Sequence, residues 1–317
     1  MQRSIIIGDI HGCYDELQQL LAKVQFSEQD VLISVGDIVD RGADSVKVYE
    51  FLRSLPNCKV LMGNHERKHL RGVLSFGQEI VKLQFGEGYA DFVAWLKTVN
   101  YYLETEEAII VHAAVENGVE MANQREDVLA GTTAGEKYLQ KLYGEEYWTE
   151  HYTGEKPVIF GHHVVGDEAK KYGKNVYGID TGACHGGYLT ALILPTFEIV
   201  SVKAAKDYWK EELVKWQVPV MEAKPWKTYK WQKIQEILTE YADFPNPELQ
   251  TFLQAKKTWV ENLHAQSSWI IAQVEAKLQA LVNEFGEHDF KKVAQKFSYA
   301  TLLFNAHKGS LSHETLL

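Results

Sequence analysis

A chain of 317 residues, 45% hydrophobic and 24% charged, has the make-up of one large soluble domain or a domain with an appendage. It contains no run of eighteen apolar residues, so no membrane-spanning helix is expected. The net charge of −10 lies wholly in the first 200 residues, because residues 201–317 set 15 lysines against 14 acids. Such a chain is not expected to bind nucleic acid independently of sequence, since phosphate contacts need clustered cations.

The opening segment, MQRSIIIGDIHG, reads as a first strand from residue 4, because Asp9 interrupts the apolar run too soon for a signal peptide. Cys13, Cys58 and Cys184 are odd in number and widely spaced, which fits neither a disulfide framework nor a zinc knuckle. A reducing, cytoplasmic setting follows as the expectation.

Along the first two hundred residues one pattern recurs. An apolar, often β-branched run ends in glycine or a small residue and is followed by Asp, Asn or His. The instances are SIIIGDIHG (4–12), VLISVGDIVDRG (31–42), KVLMGNHE (59–66), AIIVHAAV (108–115) and PVIFGHHVV (157–165). Strands are also expected over 175–182, 188–195 and 198–204. Amphipathic helices are expected over 13–24, 44–55 and 89–99; in the first, Leu17, Leu20, Leu21 and Val24 fall on one face. This alternation predicts an α/β fold with chemistry at the rim where strands give way to loops. Singly, each polar residue is an ordinary turn or surface group. Five repeats of one grammar point to a shared site.

The residues so delivered are Asp9, His11, Asp37, Asn64, His112 and one of His162 and His163. Mixed oxygen and nitrogen donors without thiolate suit two divalent ions, with manganese first and iron, zinc, nickel or cobalt as alternatives. Asp9 and His11 can chelate one ion, and Asp37 can bridge two. Such a pair activates water and clamps the oxygens of an in-line phosphoryl displacement.

GDIHG, GDIVDRG and GNHE, in this order and within 66 residues, resemble the signature of the calcineurin-like metallophosphoesterases, and more narrowly its phosphoprotein phosphatase branch. VHAAV, FGHHVV and IDTGACHGGYLTAL resemble bacterial serine/threonine phosphatases and symmetrical diadenosine tetraphosphate hydrolases. The resemblance covers residues 4 to about 204. It implies a β-sandwich flanked by helices, with Asp9, His11 and Asp37 on one metal and Asn64, His112 and His162 with Asp37 on the second. It further implies His65 as general acid, Asp40 orienting it, and Arg41 gripping phosphate with a planar fork. Read as a fifth copy of the pattern, FGHHVV also puts His162 in the ligand slot and directs His163 away. Arg125 is the remaining candidate for a second phosphate grip, and His185 for a pocket-lining residue. His151 is a candidate for the pocket on the same footing as His185. His69 reads as a surface residue on a helix beginning near Glu66, and Cys184 as buried rather than reactive. The HAA of 112–114 departs from the family's usual HGG or HAG.

The expected catalytic domain is 1–204, and 205–317 is expected to be an α-helical extension. The latter holds Trp209, Trp216, Trp226, Trp231, Trp259 and Trp269. Asn246-Pro247-Glu248 reads as the start of a long helix, broken near Gln266–Ser268 and ending at Gly286. A homo-oligomer through these helices is open. The expected activity is hydrolysis of phosphomonoesters, as of a phosphoprotein, by metal-bound hydroxide. The alternatives are a symmetrical bis(5′-nucleosyl)-tetraphosphate hydrolase, a polynucleotide phosphatase and a non-catalytic binding module. The partner is a phosphorylated protein or nucleotide, and no membrane.

Overall fold

A computed structural model of the chain describes residues 2–285. Its strands are β1 (Ser4–Ile7), β2 (Val31–Ser34), β3 (Cys58–Val60), β4 (Tyr102–Glu104), β5 (Ile109–Val111), β6 (Val158–Phe160), β7 (Lys170–Tyr172), β8 (Val176–Gly178), β9 (Tyr188–Leu194) and β10 (Glu198–Lys203). They form two five-stranded sheets, β10-β9-β1-β2-β3 and β4-β5-β6-β8-β7. Parallel pairs sit at the centre of each: β1 with β2 and β2 with β3, then β5 with β6 and β6 with β8. Antiparallel partners close three of the four edges, and β3, parallel to β2, forms the fourth.

Alternation along each strand explains why the central runs are apolar throughout. Ile6, Ile33 and Leu192 of the first sheet meet Ile110, Ile159 and Ile179 of the second in the core between the sheets. Ile5 and Ile7 point the other way, onto an outer layer of helices. Val111, Val158 and Phe160 do the same on the second sheet, under Trp148 and Leu129. This is a sandwich with helices outside, the expected architecture.

The helices of this layer are α1 (Tyr14–Lys23), α2 (Ser45–Ser54), α3 (Asn64–Arg71), α4 (Phe76–Phe85), α5 (Tyr89–Leu96), α6 (Glu126–Leu129), α7 (Thr133–Tyr143) and α8 (Tyr208–Lys215). Strands β4 and β7 were not anticipated. Both are three residues long at sheet edges, Tyr-Leu-Glu and Lys-Lys-Tyr, and neither has a fully buried residue to write an apolar run.

Of the described residues, those through Trp216 form one compact unit and those from Gln217 a second. The helix α8, just past the expected boundary at 204, stays in the first: Ala205 N and Tyr208 Oη both donate to Glu16 Oε1, at 3.0 and 2.8 Å. The second unit contains α9 (Gln217–Glu222), α10 (Trp231–Glu240) and α11 (Pro247–Phe285). Asn246 Oδ1 caps α11 by accepting from the N–H groups of Glu248 and Leu249. The expected break near Gln266–Ser268 does not occur. No glycine or proline interrupts residues 248–285, so nothing forces one. The expected end at Gly286 lies outside the described residues. Among the described residues, no helix is long and apolar enough to cross a membrane.

Candidate metal centre

The C-terminal ends of the central strands converge. The turns after β1 and β2 bring Asp9, His11 and Asp37; β3 feeds α3 and thereby Asn64; β5 and β6 bring His112 and His162 from the other sheet. Positive φ angles at His11 (45°), Asp37 (50°), Asp40 (69°), Arg41 (64°) and His162 (71°) concentrate unfavourable backbone here. The glycines of the repeated grammar supply room. A Cβ on Gly63 would lie 2.1 Å from Asp37 Oδ1, and one on Gly161 would lie 2.1 Å from Asp9 Oδ1. Each glycine therefore clears space for the carboxylate delivered by a neighbouring strand.

Asp37 stands at the middle. Its Oδ2 is 3.5 Å from His11 Nε2, and its Oδ1 is 3.5 Å from His112 Nε2. Asn64 Oδ1 lies 3.1 Å from His112 Nε2 and 3.2 Å from His162 Nδ1. Asp9 Oδ2 is 4.0 Å from His11 Nε2, and Asp9 also accepts from the backbone N–H of His162 at 3.0 Å. Two donor groups result at the centre, His11–Asp37–His65 and Asp37–His112–His162, with Asp37 common to both; a third, Glu136–His162–His163, lies on the exposed side.

The donors are in the state a cation needs. His11 Nδ1 lies 2.8 Å from the carbonyl of Val39, and His112 Nδ1 lies 3.2 Å from that of Val35. A carbonyl can only accept, so each Nδ1 carries the proton and each Nε2 presents a lone pair. Burial lowers both imidazoles, His112 to about 3, which keeps them neutral. Burial pushes the Asp37 carboxyl up, and only positive charge at the positions around it, on His112, His65 and His11 or on a cation in their place, draws it down; with neutral imidazoles that charge falls to a cation. Asp9 is raised by burial, then by Asp180 and Asp37, and burial with Asp37 raises Asp180 to about 6 against the Gly182 N–H. Buried carboxylates crowded together, with ring nitrogens at 3.5–4.0 Å, fit divalent cations in the gaps.

Beside this group His65 Nδ1 meets Asp40 Oδ2 at 2.6 Å, and His65 Nε2 lies 3.2 Å from Arg41 Nη2. Asp40 also meets His69 Nε2 at 2.9 Å and accepts from Gln78 Nε2. Here the expectation for His69 is corrected. It is 1% exposed, held between Asp40 and Tyr89 Oη, because α3 begins at Asn64 and turns that face inward. Cys184 does have a basic neighbour, Arg41 Nη1 at 4.0 Å, yet burial pushes its thiol up to about 12 against that charge.

Arg125 is turned elsewhere. Its guanidinium is bound by Asp127 at 2.9 and 3.0 Å and lies 4.3 Å from the Tyr138 ring. His185 is exposed on a loop, its backbone bridged to Asp207, and burial and then Arg41 lower its imidazole. His151 stacks on Tyr143. The rings of His162 and His163 do not diverge. They lie 4.3 Å apart, and Glu136 Oε1 reaches Nε2 of both, at 3.1 and 3.4 Å.

Sequence reasoning missed Glu66, Gln78, Glu136 and Asp180. Glu66 is buried and accepts from the N–H groups of Asp37, Ile38 and Gly63, tying α3 to the Asp37 turn. Its place three residues after Gly63 is a capping-box spacing that could have revealed it. Asp180 ends an apolar run, as the recognised residues do. Gln78 and Glu136 sit on helices with no local signal.

Two cavities open from the centre. One, about 510 Å³, is lined by Asn64, His162, α3 and the start of α7. The other, about 420 Å³, is lined by Ala113, Val128, Tyr147, Trp148, His162 and His163.

The family model described as calcineurin-like phosphoesterase matches residues 3–186. A symmetrical bis(5′-nucleosyl)-tetraphosphatase of Legionella pneumophila (strain Philadelphia 1) is 34% identical over 167 residues, covering 47% of this chain and 60% of its own length. An asymmetrical bis(5′-nucleosyl)-tetraphosphatase of Anoxybacillus flavithermus is 31% identical over 238 residues, covering 65% of this chain and 96% of its own. A crystal structure provisionally described as a diadenosine tetraphosphatase superposes with a TM-score of 0.54 at 27% identity, covering 64% of this chain and 94% of that one.

Proposed function

Because the chain belongs to the calcineurin-like phosphoesterase family, we propose that its strand-end cluster holds two divalent ions and hydrolyses phosphate esters or anhydrides. The observation that carries this reading is Asp37, one carboxylate standing in both donor groups. Asp9, His11 and Asp37 would hold one ion; Asp37, Asn64, His112 and His162 the other. Manganese is the first choice of metal. When bound, two such ions supply an activated water and the positive charge that stabilises phosphate oxygens.

The chain's own side chains do the rest. Arg41 grips the phosphate, its guanidinium 3.2 Å from His65 Nε2. His65 donates through Nδ1 to Asp40, which leaves Nε2 to accept from Arg41; once Arg41 turns to the phosphate, Nε2 takes a proton from water and passes it to the leaving oxygen. Asp40 is ionised, because His65 and His69 outweigh the burial that opposes it. The site lies within the expected catalytic domain, 1–204; the compact unit that holds it runs on through α8 to Trp216, so the helical extension would begin at Gln217 rather than 205.

For substrate, the relatives favour a dinucleoside tetraphosphate over a phosphoprotein, and two cavities flanking one centre suit a ligand with two arms. The manganese-loaded protein is to be assayed on diadenosine tetraphosphate, a phosphopeptide and a 3′-phosphorylated oligonucleotide. The expected order puts the tetraphosphate first. No turnover of these or of p-nitrophenyl phosphate with manganese, nickel, cobalt or zinc would overturn the reading.

A further inference from the structure

We infer that the cavity between α3 and α7 is a binding site for the phosphates of a nucleoside polyphosphate that are not being cleaved. This deepens the reading just given and rests on it for the position of the reacting phosphate. The cavity begins at two candidate ligands, Asn64 and His162. From Asn64, helix α3 presents Arg67, Lys68 and Arg71 to the same cavity, at spacings of three, four and seven residues. Three cations thus follow one helical face for roughly 10 Å from the centre.

Two observations mark the cavity as built for an anion. Arg67 is 6% exposed; its Nη2 lies 3.8 Å from Glu126 Oε2 and its guanidinium 5.7 Å from the Tyr101 ring, yet its Nε has no hydrogen-bond partner among the described residues. Such a buried donor costs free energy until something accepts from it. Opposite, Thr133 and Ala134 form the first turn of the eleven-residue α7, where backbone N–H groups have no intrahelical carbonyl to meet. The acidic groups lining the cavity are already engaged: Asp127 by Arg125, and Glu136 by His162 and His163. In a chain of net charge −10, this is a local reversal of sign. The adjoining cavity shares Gly131, Thr133, Glu136 and His162 with this one and is walled by Tyr147 and the buried Trp148, rings tilted at 54° that give a base an apolar wall. A phosphate chain with a base attached matches both. A phosphopeptide leaves the aromatic slot without an occupant.

The test pairs Lys68→Ala with Arg71→Ala, neither of which is buried. Calorimetry on the manganese-loaded protein measures binding of adenosine monophosphate and of the imido analogue of adenosine triphosphate. These share a base and differ only in the added phosphates. The expected result is that the double variant weakens the triphosphate analogue ~10-fold more than the monophosphate. The ratio of kcat/KM on diadenosine tetraphosphate to that on p-nitrophenyl phosphate should fall by a similar factor. Equal weakening of both nucleotides, or of neither, overturns the assignment, as does a loss seen only with a phosphopeptide. Wild-type protein that turns over nothing sinks the hydrolase reading instead, and the binding comparison still decides this one.

Discussion

Two histidine–carboxylate pairs flank the centre in opposite surroundings. On one wall Asp40, with a side chain 0% exposed, holds His65 at 2.6 Å and His69 at 2.9 Å. On the other Glu136, 47% exposed, holds His162 at 3.1 Å. The chemistry of each pair is the same; the dielectric is not. An ion–dipole network shut away from water is strong and costly to break, whereas water screens a pair at the rim. The closed wall is suited to keeping a proton in one place. The open wall fronts both cavities, where a ligand must enter, and it can be altered at little cost to the fold.

The largest effect is expected where the walls meet. Asp37→Asn removes the charge common to both donor groups and should lower kcat ~10³-fold or more, with loss of bound metal by elemental analysis. Wild-type activity in that variant would sink the two-ion reading and with it the contrast between walls. Next comes the closed wall. Asp40→Asn leaves His65 without its anionic partner and should lower kcat ~10²-fold, with metal content retained. A loss confined to metal content would instead make Asp40 part of the metal shell.

How far the sequence reveals each wall follows from the same contrast. Asp9, Asp37, Asn64, His112 and His162 are legible because each follows a strand, and a strand buried on both faces writes an unmistakable apolar run. His65 and Asp40 come with their motifs. The helices that complete the walls leave no such mark. His69 reads as a surface residue, yet it lies four residues after His65 on α3, shares that inward face and is buried with it. Gln78 and Glu136 reach the site across loops whose path no local pattern encodes. Arg125 shows the converse. An arginine at a suggestive place in sequence is captured by Asp127, two residues on. The long α11 errs in a simpler way, since a polar stretch at 266–268 reads as a break, but polarity does not bend a helix.

For the open wall the expected effect is smaller. Glu136→Gln keeps the shape but removes the charge that orients His162, and should weaken manganese binding ~10-fold, the low end for an outer carboxylate because this one is half exposed. Excess metal should restore kcat. Failure to restore it would move Glu136 into the reacting groups and erase the distinction between walls.

The smallest effect belongs to a third pair, far from either wall in its duties. Arg3 Nη2 and Nε meet Asp30 at 2.7 and 2.9 Å, and the hydrogen bond from Arg3 lowers the Asp30 carboxyl to about 2 from an ordinary 3.8. With the folded value below the unfolded one, the pair's stabilisation is complete above about 3.8 and is lost as pH falls through about 2. Arg3 is 37% exposed, so screening trims this to about 1 kcal/mol. Asp30→Asn should therefore lower the urea midpoint at pH 7, by a gap that narrows at pH 3, and leave kcat alone. A gap independent of pH would mean that packing and the Ser27 turn, rather than charge, account for Asp30. That would leave the contrast between buried and exposed pairs to rest on the two walls alone.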